Sequence, residues 1–263
     1  MSWYRETKGD QVFYRCREFN DSGVIQAFSA KTDGNMALHT GDDPENVIQR
    51  RQAFLEALDL PLNNLVAGVQ THSVNVRTIT RQSAGAGARN LATALPDTDA
   101  FITRESGVIL AIFTADCLPV FIYDPVTSAI GLAHAGWRGT LKGIAAKTLE
   151  EMVAVFHTDP AQCWVAIGPA IGTECFTVAE DVAQQFSAVF PETVSSNSAN
   201  HRVDLSEFNR RLLRLLGVPG EQIIGSGLCT SCLRDDFYSY RAGNQTTGRM
   251  MGIISLRDKK ISK

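Results

Sequence analysis

Six stretches of this chain are apolar almost without interruption, and each is too short to make a helix of ordinary length. They are LVAGVQ (65–70), VILAIFT (108–114), VFIYD (120–124), AIGLAHA (129–135), CWVAIGP (163–169) and IIGSGL (223–228). A strand with one wet face alternates apolar and polar residues, whereas a continuous run suits a strand covered on both faces. The covering elements lie between the runs. DPENVIQRRQAFLEALDL (43–60) places Val47, Phe54, Leu55 and Leu58 on one helical face, with Pro44 near its start. TLKGIAAKTLEEMVAVF (140–156) repeats apolar residues at 141, 144, 145, 149, 152, 153 and 156, and the segments 177–190 and 204–216 follow the same period. Asp204 is the expected N-cap of the last helix, with Glu207 at the capping-box position. The region 108–135 reads as hairpin-linked neighbouring strands, so the sheet should be mixed. The expected class is α+β, a mixed α/β sandwich of β-sheets flanked by helices.

Composition narrows the partners. The chain has 263 residues, 44% of them hydrophobic, and a net charge of −3 without a basic stripe. Nucleic acid is not the expected partner, because phosphate neutralisation by clustered Lys and Arg drives that binding. No stretch of about 18 apolar residues could span a bilayer, and MSWYRETKGD lacks the pattern of a secretory signal. A cytoplasmic protein without membrane association is expected. Composition shifts at no point mark a boundary. The nearest to a flexible insert is 81–97, with a second loop at 191–202.

Three of the apolar runs end on side chains that can bind a metal. LVAGVQ leads to His72, VILAIFT leads to Asp116 and Cys117, and AIGLA leads to His134. If these ends meet, two imidazoles and one thiolate form a zinc set with its fourth tetrahedral position open, as catalytic sites have. The same residues allow a metal-free reading in which Cys117 is a nucleophile and His134 its base, oriented by Asp116 or His72. Spacing alone does not separate the two. Among the other cysteines, Cys229 and Cys232 form a CxxC, but a zinc ribbon needs a second pair, and Cys163 and Cys175 are too far apart in sequence to make one. They are expected to be free thiols outside any metal site. His39, His157 and His201 read as surface residues, and the signatures HExxH, HxE with PCxxC, and a complete dinucleotide-binding glycine loop are absent.

The run after His134 continues as Gly136-Trp137-Arg138-Gly139-Thr140 and enters a predicted helix. An arginine beside a helix N-terminus can bind a phosphate or carboxylate. Trp137 can stack on a flat ring or pack on the sheet.

The segments QTHSVNV (70–76), DAFIT (99–103), TADCLPVFIYDP (114–125), AHAGWRGTLKGI (133–144), AIGPAIGTECFTV (166–178) and FYSYRAGNQTTGR (237–249) together resemble the YfiH family. That family is also called the laccase-domain or multicopper polyphenol oxidase family, and it includes purine nucleoside phosphorylases. The resemblance runs from about residue 24 to 255. It implies one YfiH-type domain over 1–263 with a cysteine-hydrolase-like fold. It implies zinc on His72, Cys117 and His134, which are then both ligands and catalytic residues. The implied reactions are phosphorolysis of adenosine, inosine and methylthioadenosine, with adenosine deamination beside it. Purine nucleoside and phosphate are the implied partners, with Arg138, Arg51 and Arg241 as candidate phosphate holders. The older laccase label implies copper, which a Cys-His-His trio suits less well than a multicopper centre would require. Some members are linked instead to editing of peptidoglycan precursors, which fits the Cys117 hydrolase reading. A non-catalytic purine-binding module fits least, because the ligand trio is intact. This chain departs from the family over FSAKTDGNMALHTGDD (28–43) and at Arg50-Arg51, so its pocket should differ there.

Overall fold

The computed structural model describes residues 2–20, 23–197, 200–243 and 247–257. The chain begins with three antiparallel strands, β1 (Trp3–Lys8), β2 (Gln11–Cys16) and β3 (Val24–Ser29). Helix α1 (Pro44–Glu56) follows, then β4 (Leu65–Ala67), β5 (Val76–Thr78), β6 (Ala100–Thr103), β7 (Ile109–Thr114), β8 (Leu118–Asp124) and β9 (Ala129–Ala135). Next come α2 (Trp137–Leu141), α3 (Ile144–Phe156), β10 (Trp164–Ile167), β11 (Thr177–Val178) and α4 (Glu180–Ser187). The last elements are β12 (Val194–Ser196), β13 (His201–Val203), α5 (Leu205–Leu215), β14 (Ile223–Gly225) and β15 (Met250–Leu256).

Two six-stranded sheets result, ordered β1-β2-β3-β15-β7-β4 and β14-β10-β8-β9-β6-β5, beside a small sheet β11-β13-β12. Both large sheets are mixed. Pairs β4–β7, β5–β6 and β10–β14 are parallel and their other pairs antiparallel.

The side chains explain why the runs are apolar on every residue. Along β8, Leu118, Val120 and Ile122 pack with Ile144, Leu149 and Met152 of α3 and with Phe208 and Leu213 of α5. The intervening Phe121 and Tyr123 enter the space between the sheets, with Leu110 and Ile112 of β7 and Phe28 of β3. On β7 the alternate residues Ile109, Ala111 and Phe113 meet Phe54 and Leu55 of α1. The order is therefore α1, sheet, sheet, α3 with α5. Each large side chain so buried contributes about 1.5–3 kcal/mol relative to exposure. Gly252 marks a close approach of the sheets: a Cβ there would lie 3.2 Å from the Phe121 ring of the facing sheet and 3.3 Å from Phe28 beside it. Among the described residues, no helix is long and apolar enough to cross a membrane.

The expected mixed sandwich is observed, with differences of detail. The 140–156 helix is broken by Gly143, whose φ of +78° is left-handed, into the short α2 and α3. In the 177–190 segment, Thr177 and Val178 pair with Arg202 and His201 as β11, and helix begins only at Glu180. Asp204 does cap α5, its Oδ1 accepting the Glu207 N–H at 2.8 Å. The 191–202 loop carries β12 and the start of β13, and its residues 198–199 lie outside the described ones. The 81–97 segment is pinned rather than loose. It forms single turns of 3-10 helix at Arg81–Ser83 and Leu91–Thr93, and the Ala67 N–H and C=O bond to Ala86 and Leu95.

Arg51 is the side chain that fastens this segment, which corrects its reading as a phosphate holder. It is only 1% exposed. Its Nε donates to Met36 O at 2.7 Å and its Nη1 to Gly87 O and Ala88 O, both at 2.8 Å. The guanidinium also lies 4.4 Å from the centre of the Phe113 ring. A side chain surrounded in this way is closed to an outside anion. Arg51→Ala leaves three buried carbonyls short of a donor and should destabilise the fold by about 3 kcal/mol or more. Urea unfolding measures that loss. Unchanged stability with weakened anion binding in the same variant would contradict the structural role.

Candidate metal centre

The three ligand-bearing strand ends do meet, and sheet topology is the reason. Strands β4 and β7 are parallel, so their C-terminal ends leave the first sheet on the same side. Strand β9 runs antiparallel to β8, which puts its end beside the start of β8: Leu118 pairs with Ala135, and Pro119 with His134. Cys117 immediately precedes Leu118. The donor atoms of His72, Cys117 and His134 all lie within 4.8 Å of one another. Cys117 Sγ is 3.8 Å from His72 Nε2, and the two imidazole centres are 5.0 Å apart.

Both histidines are held by one carboxylate, Asp99, which is fully buried. Its Oδ2 accepts the N–H groups of Thr71 (3.1 Å) and Ser73 (2.8 Å) and the Ser73 hydroxyl (2.8 Å). Its Oδ1 accepts the His72 N–H at 3.1 Å and sits 2.8 Å from His134 Nδ1. Successive N–H groups around one carboxylate form an anion nest, which stabilises the positive φ of +61° at His72. With Nδ1–H donating to Asp99, His134 keeps Nε2 free for its neighbours. Gln70 supports the turn from the other side, exchanging two hydrogen bonds with the Phe113 backbone at 2.8 and 2.9 Å.

Gly136 keeps the space beside His72 and Cys117 free of a side chain. A Cβ there would lie 2.5 Å from His72 Cδ2 and 3.1 Å from Cys117 Sγ. The glycine is required by close approach, because its φ of −68° is ordinary.

Electrostatics within the trio are coupled. Burial alone would raise the Cys117 thiol, but His134 and His72 bring it down to about 6. Burial alone would lower His134, but Cys117 and Asp99 raise it to about 9. Asp99 would likewise rise on burial, but its bonds to His134 and Ser73 hold it at about 2. Without metal, the site therefore holds a thiolate–imidazolium pair between about pH 6 and 9.

The trio forms the floor of a cleft of about 660 Å³. Its walls carry Phe113, Trp137, Phe176 and Tyr240 together with Arg138, Arg241 and Arg249. Arg138 is exposed, lies 4.1 Å over the Trp137 ring and has no carboxylate partner among the described residues. The α2 helix behind it has only five residues, so the cation offered to the cleft here is the guanidinium rather than a helix end. Arg241 also lines the cleft, but its guanidinium already bonds Cys175 O, Thr177 Oγ1 and Thr177 O at 2.8–3.2 Å. Asp116 touches no ligand. Its Oδ1 accepts from Thr230 Oγ1, and its Oδ2 from Ser239 Oγ and the Arg241 N–H, which ties the opposite wall to the β7–β8 turn.

Several residues in or behind the cleft escape sequence reading. Asp99 had one signal, an acid placed directly before the buried run at 100–103. Arg249 precedes β15, a strand whose apolar run is interrupted by Gly252. His39 is exposed, as expected of a surface residue, and it also lines the cleft, its imidazole lowered by partial desolvation and by the charge of Arg249. It belongs to the divergent 28–43 segment, which is tied to Arg249 through Asn35 Oδ1 and the Arg249 N–H at 2.9 Å. Residues 244–246 of the 237–249 motif lie outside the described ones.

Residues 20–257 match the family described as multi-copper polyphenol oxidoreductase laccase. Purine nucleoside phosphorylase YlmD of Geobacillus stearothermophilus is 39% identical over 259 residues, covering 93% of this chain and 94% of that protein. Adenosine deaminase RL5, from an unknown prokaryotic organism, is 32% identical over 255 residues, covering 95% of each chain. The crystal structure of YlmD from G. stearothermophilus superposes with a TM-score of 0.92 at 36% identity, covering 98% of this chain and 99% of that one.

Two outcomes follow from this geometry. Asp99→Asn removes the carboxylate that fixes the His134 tautomer and the His72 turn, and metal affinity should fall by roughly 10–100-fold; competition with a chromophoric chelator measures it, and unchanged affinity would contradict the assigned role. Metal binding must also expel the His134 proton below pH 9, and the Cys117 proton as well below pH 6. Affinity should therefore weaken as pH falls from 9 and more steeply below 6, and a slope that does not steepen across pH 6 would contradict the thiolate as a ligand.

Proposed function

This chain belongs to the laccase-like YfiH family, and from that premise we propose that it is a zinc-dependent purine nucleoside phosphorylase with adenosine deaminase side activity. The observation that carries the proposal is the convergence of His72, Cys117 and His134 on the floor of a cleft of nucleoside size. Two neutral imidazoles and a thiolate suit zinc, and the open fourth position suits catalysis. The multicopper reading is disfavoured by supply: the chain has five histidines, and His157 and His201 do not line the cleft. Zinc, when bound, supplies a Lewis acid beside the substrate.

The chain supplies the rest. Phe113, Phe176, Trp137 and Tyr240 offer flat faces to a purine, although Trp137 already carries Arg138 on one of its own. Phosphorolysis needs an anion held behind the anomeric carbon as the glycosidic bond breaks. Arg138 has a guanidinium free for that task. Arg249 is half-buried on the same cleft, its Nη1 bonding Thr247 O and Gly248 O. Arg241 serves instead to brace the 175–177 wall. Deamination requires water in place of phosphate, so the same purine pocket accommodates both reactions with different demands on the arginines.

A second reading is favoured by one specific observation. Asp99, His134 and a thiol held as thiolate near neutral pH form the arrangement of a cysteine hydrolase, which would attack an amide and need no metal. Adenosine with phosphate and, in parallel, a peptide-amide substrate, each assayed with zinc-loaded and zinc-stripped protein, separate the readings. Phosphate-dependent release of adenine only in the zinc-loaded form is expected; amide cleavage that survives zinc removal would favour the hydrolase.

Arg138→Ala should cost on the order of 1.5–3 kcal/mol of phosphate binding, roughly a ten- to hundredfold loss in phosphorolysis at limiting phosphate. Deamination, which uses water, should fall far less. Parallel loss of both activities together with thermal stability would identify Arg138 as a brace for its loop.

A further inference from the structure

Three cysteines outside the central trio meet behind the cleft wall. Cys229 and Cys232 are two ends of a Cys-Thr-Ser-Cys turn, and the fold brings Cys175 to them from a segment more than fifty residues away. Cys175 Sγ and Cys232 Sγ are 3.3 Å apart, and all three sulfurs lie within 4.8 Å of one another. Tetrahedral zinc with Zn–S bonds of about 2.3 Å sets sulfurs about 3.8 Å apart. The 3.3 Å spacing is within about 0.5 Å of that value, and the 4.8 Å limit on all three separations admits it.

Cys229 has the surroundings of a thiolate, whereas without metal the neighbouring sulfurs of Cys175 and Cys229 push the Cys232 thiol up to about 12. Cys229 Sγ accepts the Gly172 N–H at 3.2 Å, and the N–H groups of Ser231 and Cys232 also face it. These donors outweigh burial and lower the Cys229 thiol. N–H groups directed at sulfur offset charge that a thiolate brings to the site. Gly172 admits this contact because it lacks a side chain: a Cβ there would lie 3.2 Å from Cys229 Cβ. Cys175 is half-buried and Cys232 exposed, so an ion can enter from solvent.

The two segments are already aligned. Ala170 and Cys229 form a parallel bridge, the Ala170 N–H donates to Leu228 O at 3.2 Å, and the Thr230 N–H to Ala170 O at 3.0 Å. Ile171, Phe176 and Thr177, from the first segment, line the cleft. A clamp on these cysteines would therefore fix a wall of the substrate site.

We propose that Cys175, Cys229 and Cys232 form a second metal site, which takes zinc through three thiolates and leaves the fourth position to solvent. On binding, three S–H protons pass to solvent as three Zn–S bonds form, without change of oxidation state. This revises the expectation that Cys229 and Cys232 stand outside any metal site. The missing ligand was Cys175, which no sequence spacing indicates. The site is independent of the reaction proposed for the cleft.

Reduced, metal-stripped full-length protein is titrated with zinc against a chromophoric chelator, beside Cys117→Ser and the double variant Cys229→Ser/Cys232→Ser. The wild type should take two equivalents and each variant one. Because a variant can fail to fold, the wild type and Cys117→Ser are also mapped by iodoacetamide alkylation with and without zinc. Zinc should protect Cys175 and Cys232 in both. A single equivalent in the wild type, lost in Cys117→Ser and retained in the double variant, would overturn the proposal. So would alkylation of Cys175 and Cys232 at the same rate with and without zinc.

Discussion

The site depends on the Asp99 carboxylate more than on any one ligand. It is fully buried, and its charge is stabilised by three backbone N–H groups, a hydroxyl and the His134 imidazole. An unpaired charge at that depth would cost several kcal/mol. The His72 turn and the His134 ring must therefore keep their places for Asp99 to be ionised. One interaction thus sets the backbone of the first ligand and the tautomer of the third. Cys117 is then drawn in electrostatically, its thiolate favoured by the imidazolium that Asp99 maintains.

This works because the frame around Asp99 has little freedom. Strands β7, β8 and β9 are buried on every residue, between each other on one face and against helices on the other. Close-packed interiors transmit displacement rather than absorb it, so the strand ends hold their donors at fixed spacing. Gly136 and Gly252 show how little clearance remains: one leaves room for His72 and Cys117 and the other lets the two sheets approach.

The arginines illustrate how one residue type divides by location. Arg51 satisfies carbonyls beneath the 81–97 segment, Arg241 holds the 175–177 wall, and Arg138 lies with its charge on an indole face. All three look alike in sequence as cations near family motifs. Burial and acceptors already present separate them, and only the last keeps a charge for an incoming anion.

Sequence by itself determined the layered mixed sandwich, because uninterrupted apolar runs have no stable place except between two covering layers. It also pointed to the candidate ligand trio, because side chains able to bind a metal at the ends of buried strands stand where a rigid sheet stops and a cleft can begin. The weaker signals were lost where local pattern is uninformative. The β1 strand alternates only in part, β15 contains a glycine, and Thr177-Val178 continue a helical period yet pair as strand. Tertiary structure alone decided what surrounds the trio. Asp99 reaches the two histidines, and His39 and Arg249 reach the cleft, from separate segments, as Cys175 reaches Cys229 and Cys232, through distances that chain spacing does not encode. Short-range periodicity fixes which face of an element is buried; which distant side chain meets it there is fixed only when the layers close.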